Sequence, residues 1–504
     1  MKKILSVLAV LAMAVTVPQN AKAYDFTYTY QGKLLYYNLQ TNSLINQTYA
    51  VVTCPVENPT HSTLSWVGFA KPTGQLVIPD SVEWNGTRYA VKELGEFALC
   101  TCDSLTSVTI PQGVFSIGLM ALGRNTRLES VVLPNNLIFM GEFCFYGDES
   151  LSSIDIPASV GVIPNGAFER CSSLQTVIVP EGITRLEQFA FEECGNLVSI
   201  QFPSTLTFIG GACFQDDSAL VSVNVPAAVD TIHQWAFFGC TNLQSITLHE
   251  GLKFIGMDAF DYCESLHSIT FPSTLDSIGM YAFWGCYSLD SVLLPDGMKH
   301  VSEGAFGECP NLKYCPLPSH MEFVDILLFY GTGFETIEVP EGVTYIDTAA
   351  FGPCPVLHKV TLPSTLVTLR DFAFQYDTLI DTIILRCAVP PATPGDSVFT
   401  YFAATLIVPC GTADDYRQHE VWGRFPNVVE DCNAIDGIES NDINVYVRDG
   451  RIVVDGADGE TVRVYDMMGR ETQSFKQSSN QALPTGVYMV QVGASPARKV
   501  LVVR

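Results

Sequence analysis

From residue 75 onward the chain repeats itself every 23 residues, and a period of that length admits few folds. Pro111, Pro134, Pro157, Pro180, Pro203 and Pro226 mark the period. His249 takes the next place, Pro272, Pro295 and Pro318 resume the series, and Pro340 and Pro363 follow after one gap of 22. Such a period means a stack of like units, none of which can bury its apolar face alone. Six residues before each of these positions from 111 to 318 stands a leucine (Leu174, Leu197, Leu220 and Leu243 among them), and three and one before it stand aliphatic residues such as Ile154 and Ile156. Leu-x-x-Val-x-Ile reads as a short strand whose apolar residues enter a core while the alternate positions face out. The proline has no N–H to give a ladder and ends the strand. Ten and eleven residues later comes an Ala-Phe pair, as in Ala190-Phe191, Ala236-Phe237 and Ala259-Phe260. This second half reads as another short strand or an irregular turn, with Phe filling the interior from the far side.

The flanks follow other rules. Residues 1–23 read as a signal peptide: Lys2 and Lys3, an apolar run from Ile4 to Val17, then Ala21-Lys22-Ala23 as a small-x-small cleavage site. That run falls short of the ~20 apolar residues a membrane span needs, and no other segment qualifies, so no transmembrane segment is expected in the mature chain. Residues 24–74 lack the repeat; alternation at Phe26, Tyr28, Tyr30 and at Leu34, Tyr36 predicts strands turning at Gln31-Gly32, a cap for the first repeat. The array then occupies 75–386, a closing cap repeat 387–432 and a polar linker 433–442. Residues 443–504 alternate in short runs separated by Asp449-Gly450, Gly456 and Gly469, the pattern of a small antiparallel β-sandwich.

With 27 basic and 53 acidic residues the chain carries a formal charge of -26, which argues against nucleic-acid binding. Of the 16 cysteines, Cys102, Cys171, Cys194, Cys240, Cys263, Cys286, Cys309 and Cys354 share one repeat position, which Asn125, Asp148, Asp217 and Asp377 fill elsewhere. Exchange with small polar residues points to buried free thiols that close a turn by satisfying its N–H groups. Cys387, Cys410 and Cys432 lie off this series and leave room for a cap disulfide. The histidines are scattered, and the Glu-Gly pairs such as Glu181-Gly182 and Glu250-Gly251 are turn residues. No phosphate loop, HExxH or nucleophile elbow occurs. No catalytic residue, cofactor or metal is therefore expected.

What varies is the outward row two before the proline, with Asp155, Gln201, Asn224, Thr247, Thr270, Glu338 and Thr361, and the Ser/Thr row beside it that includes Ser245. An exposed polar row on a parallel sheet is a common binding surface of solenoids, the alternative being a merely solvated face. Trp235, Phe238 and Trp284 gather near the Ala-Phe corners, where core packing is the ordinary reading and ligand contact the sharper one.

Leu-x-x-Val-x-Ile-Pro followed by Ile-Gly-x-x-Ala-Phe-x-x-Cys resembles the BspA-type leucine-rich repeat of bacterial surface proteins, over residues 75–431. YDFTYTYQGKLLYY is similar to the opening segment of such proteins in Bacteroidetes, and Pro390-Pro391, Leu406 to Cys410, Tyr416 and Trp422 to their closing cap. Val464 to Arg470, Leu483 to Val490 and Arg498 to Val503 resemble the sorting domain read by the type IX (Por) secretion system, with Gly469, Arg470, Gly486, Tyr488 and Lys499 in its motif. These resemblances imply a mainly β fold: a leucine-rich repeat solenoid of about 13 repeats with caps, followed by the small β-sandwich. They also imply cleavage after Ala21-x-Ala23, passage through the periplasm, and display on the outer-membrane surface or release. The implied function is that of a non-enzymatic, adhesin-like protein whose partners are host matrix proteins, other bacteria or glycans, besides the type IX machinery. The alternative is a structural scaffold of a surface layer.

Overall fold

The computed structural model describes residues 24–56, 65–395, 397–432, 444–448, 451–455, 461–465, 470–475, 486–492 and 498–502. The chain divides into two compact units, residues 1–430 and 431–504. In the first, the 23-residue period becomes a β-solenoid of about 15 turns, and each turn has three sides.

The strand side carries the Leu-x-x-Val-x-Ile segments as short parallel strands. Thr176–Ile178, Ser199–Gln201, Ser222–Asn224 and Ser245–Thr247 form one four-stranded sheet in register, Val177 opposite Ile200 and Val223 opposite Ile246. After the proline turn the second side holds two-residue strands such as Arg185–Leu186 and Phe208–Ile209, again parallel. The chain then rounds the Ala-Phe corner. There the N–H of Phe191 donates to the carbonyl of Cys213 and that of Phe214 to Ala236, both at 2.9 Å. Leu174, Val177, Val179, Ile183, Leu186, Ala190 and Phe191 are buried, as are most of their counterparts in the other repeats, while Val160, Phe202, Leu248, Leu294 and Leu317 are half-buried against the same core. Each large apolar side chain of the buried set contributes about 1.5–3 kcal/mol. The corner phenylalanines stack from Phe145 to Phe399 with ring centroids 5.2 to 6.1 Å apart and nearly parallel planes.

The turn count exceeds the thirteen repeats expected because both flanks extend the stack. Phe26–Tyr30 and Lys33–Asn42 form the anticipated hairpin around Gln31-Gly32, but the next strand, Gln47–Thr53, pairs in parallel with Thr87–Leu94 as a first rung. At the other end Thr368 bridges Ala392, and Thr405–Pro409 and Asn427–Asp431 close the strand-side sheet. The Phe stack ends there against Trp422 and Phe425. The Trp422 indole N–H donates to Pro391 (2.9 Å) and the Tyr416 hydroxyl to the Cys387 carbonyl (2.8 Å).

The shared cysteine position is a hydrogen-bond ladder, and its chemistry corrects the expectation that it satisfies N–H groups. Cys171, Cys194, Cys240, Cys263, Cys286 and Cys309 each donate their thiol to the carbonyl of the corner Phe one repeat back, at 3.1 to 3.3 Å. The thiols are buried and free, and burial raises their pKa. Where the position is acidic the polarity reverses: Asp217 accepts the N–H of Cys194 (2.8 Å) and Asp148 that of Asn125 (2.8 Å). Thr332 holds the place in the short repeat, its hydroxyl donating to Phe329 (3.0 Å). Cys410 is disulfide-bonded, as is Cys432, whereas Cys387 is free and donates to Pro363.

The second unit contains an antiparallel pair, Asn444–Arg448 with Arg451–Asp455, and a four-stranded antiparallel sheet. The sheet order is Glu471–Phe475, Val462–Tyr465, Gly486–Val492, Arg498–Val502. The signal segment with Ala21 and Ala23, the linker 433–442 and the turns at Asp449-Gly450, Gly456 and Gly469 lie outside the described residues.

Candidate binding face

On the strand side, alternation decides exposure. In Ser222–Asn224 and Ser245–Thr247 the central Val223 and Ile246 enter the core and the flanking residues face solvent. Asp155, Gln201, Asn224, Ser245, Thr247, Thr270 and Glu338 are all exposed. The structure brings only some of them together. Asn224 lies opposite Thr247 and Ser222 opposite Ser245, while Gln201 ends the strand whose Ser199 pairs with Ser222. Thr270 follows in the next repeat. Asp155 stands in Leu151 to Ile156, where no strand forms, and Glu338 belongs to a separate sheet.

Thr361 is a correction. It is 6% exposed, held in register between Glu338 and Ile384, and Arg386 reaches two repeats back to Glu338 (2.8 Å) across the repeat that carries it. The polar row is thus interrupted there by its own ion pair. The surviving face runs from Gln201 to Thr270, a set of hydroxyls and amides with the His249 ring nitrogen 2.8 Å from the Asn224 side-chain oxygen. Exposed Ile178 and Leu293 flank it in the same row, at 66% and 57% exposure. Such a face can accept and donate hydrogen bonds and bury some apolar surface; it offers no nucleophile beside a base.

One feature escaped the sequence. The Glu-Gly turns are clamps between repeats: the Glu250 carboxylate accepts the N–H and hydroxyl of Ser273 (both 3.0 Å), and Gly251 N–H donates to Thr274 (2.8 Å). Glu181 with Ser204 and Glu341 with Ser364 repeat the arrangement. Pro-Glu-Gly followed one period later by Pro-Ser-Thr is a legible signal once the register is known. Trp235, Phe238 and Trp284, for which core packing is the ordinary expectation, are half-buried at the corner and lie outside the core.

Two other places carry little chemistry. A cleft of about 320 Å³ lies between Ser364–Val367 and Cys387–Pro391; its one thiol is Cys387, whose pKa burial pushes up to about 11. Of the sorting-motif residues, Arg470 is exposed and Gly469 lies outside the described residues. Gly486, Tyr488 and Lys499 fall in paired strands whose side chains are not among those described. Among the described residues, no helix is long and apolar enough to cross a membrane.

A family model for the BspA type leucine rich repeat region matches residues 92–221, 207–332 and 324–401, and one for a domain of unknown function (DUF6383) matches residues 433–502. Among solved structures, a leucine-rich repeat protein from Bacteroides ovatus is 22% identical, with a TM-score of 0.59, covering 72% of this chain and 95% of its own. The pneumococcal vaccine antigen PcpA is 15% identical, with a TM-score of 0.50, over 81% and 99%. A leucine rich cell surface protein from Faecalibacterium prausnitzii is 25% identical, with a TM-score of 0.46, over 72% and 96%. No curated protein matches the chain. No catalytic family is among these matches.

Proposed function

The chain belongs to the BspA-type leucine-rich repeat family, and on that premise we propose that it is a surface-displayed or released binding protein of adhesin-like type. Its ligand is a protein or glycan on a host or bacterial surface, held on the strand side between Gln201 and Thr270. One observation carries the reading. Consecutive strands in register present outward residues that the repeat does not require for packing, and these residues are hydroxyls and amides. A solvated face tolerates the same residues, so the test is a direct one. The purified protein is screened against arrays of matrix proteins, bacterial surfaces and glycans. Saturable binding abolished by Gln201→Ala, Asn224→Ala and Thr247→Ala together supports the proposal. Self-assembly without binding to any of these surfaces would replace it with the surface-layer scaffold.

The export route belongs to the same proposal: a signal peptide over residues 1–23 and a type IX sorting domain over residues 443–504. In a host with that secretion system, deleting 443–504 is expected to strand the protein in the periplasm. Unchanged surface display of the deletion would remove the sorting assignment.

A further inference from the structure

Outside the strand side, the corner between residues 233 and 308 has a composition the repeat does not explain. Its four segments, 233–240, 256–264, 279–287 and 302–308, contain five carboxylates and no Lys or Arg. Aromatic rings lie among them. Phe238 meets Tyr262 edge to face at 6.1 Å, Tyr281 meets Trp284 at 5.5 Å, and Trp284 stacks on Tyr330, two repeats away, at 5.8 Å.

Glycines seat these rings. A Cβ on Gly307 would lie 2.2 Å from the Trp284 ring, and one on Gly304 would lie 2.4 Å from Tyr281, so each ring rests on the backbone of the next repeat. The rings are thereby fixed while still touching solvent; Tyr262 and Tyr287 are each 39% exposed.

Two carboxylates sit within this set. Asp258 accepts the Trp235 indole N–H at 2.9 Å. Asp261 stands in register between Phe238 and Trp284, because Gly239 N–H donates to the Asp261 carbonyl and Tyr262 N–H to that of Trp284. Asp261 is 7% exposed, and one of its carboxylate oxygens makes no hydrogen bond. Burial, and then the neighbouring Asp258 charge, lift its pKa to about 7. A buried, unpartnered carboxylate oxygen is a cost that natural proteins retain for a reason.

The same corner, three repeats earlier, shows a cation paired with a carboxylate and a ring. There the Arg170 guanidinium donates to the Glu193 carboxylate (3.0 and 2.8 Å) and to the Tyr146 hydroxyl (3.0 Å), and lies 5.8 Å from the Tyr146 ring centroid. Arg124 also lies over that ring, 5.7 Å from its centroid. Carboxylate, ring and cation are all supplied by the chain. In the four corner segments from 233–240 to 302–308 carboxylates and rings recur without Lys or Arg.

We propose that this corner docks a cationic side chain, arginine or lysine, from a basic segment of a partner protein. The charged group lies against the Phe238, Tyr262 and Trp284 rings and pairs with Asp258 and Asp261. Cation–π attraction and a charge-assisted hydrogen bond act together there, and the negative charge of the chain attracts such a segment from a distance. The site is independent of the strand side, so either assignment can fail alone.

The test titrates an arginine–glycine repeat peptide, and a counterpart with glutamine for arginine, into the full-length protein while Trp fluorescence is followed. Saturable binding of the arginine peptide only is expected, weakened about tenfold or more by Asp258→Asn with Asp261→Asn. A control, Glu83→Gln with Glu129→Gln, removes two carboxylates at exposed remote positions and is expected to leave binding within about twofold. Equal binding of both peptides, or equal weakening by the two double variants, would overturn the proposal, the latter by reducing the effect to net charge. Thermal unfolding of each variant shows that a loss of binding is not a loss of fold.

Discussion

The strand side and the corner make an instructive pair. The strand side is the one a sequence reading identifies first, yet its ladder is discontinuous. It forms separate sheets of three, four and five strands, with only isolated bridges at Ser268, Ser291 and Tyr314 between the last two. The corner has no regular secondary structure and is unbroken, from Phe97 donating to Leu119 to Phe374 donating to Val398. It crosses both stretches where the strands lapse, through Phe145 to Ala167 and Phe306 to Leu328. The cause is conformational. Residues such as Trp235 (φ 57°) and Tyr262 (φ 56°) adopt the left-handed region, turning alternate N–H groups along the stack whatever the side chain. A strand needs an extended run, and Pro316 in the outward row removes a donor from it. The corner therefore holds the solenoid together, and the strand side is the part free to vary.

If that contrast is right, variants should rank by side. The largest effect is expected from Phe237→Ala. It empties a fully buried link between rings 5.3 and 5.4 Å away, and a loss of about 3–5 kcal/mol should appear in denaturant unfolding. A loss below about 1 kcal/mol would show that the corner stack is dispensable.

Next comes Asp377→Asn. Asp377 accepts the Cys354 N–H, its second oxygen has no partner, and burial lifts its pKa from 3.8 to about 8. Its pKa is raised in the folded state, so below pH ~4 both folded and unfolded chains carry the proton and nothing is lost. As pH rises towards 8 the unfolded chain releases a proton that the folded chain keeps, and stability falls. Asn removes that dependence and supplies an N–H donor, as Asn125 does at the same repeat position by donating to the Leu122 carbonyl. A gain of about 1–3 kcal/mol at neutral pH, vanishing near pH 4, is expected from melting curves across pH. An identical pH profile for wild type and variant would contradict it. The smallest effect belongs to the strand-side triple variant, whose stability should stay within about 0.5 kcal/mol per site even as binding disappears.

The sequence alone determined the period, the buried Leu, Val, Ile and Phe positions, the hairpin at Gln31-Gly32 and the exposed rows, because each follows from spacing along one stretch of chain. Tertiary structure decided what spacing cannot express. It set which residues one or two periods apart touch, and through which atoms. Glu250 meets Ser273, the ladder thiols from Cys171 to Cys309 meet a Phe carbonyl behind them, and Trp284 crosses Gly307 to reach Tyr330. Thr361 shares its outward row with Thr247 by spacing, but Arg386 reaching Glu338 accompanies its burial. Side chains lean along the stack, and the direction of that lean depends on the neighbour they find, which no single repeat contains.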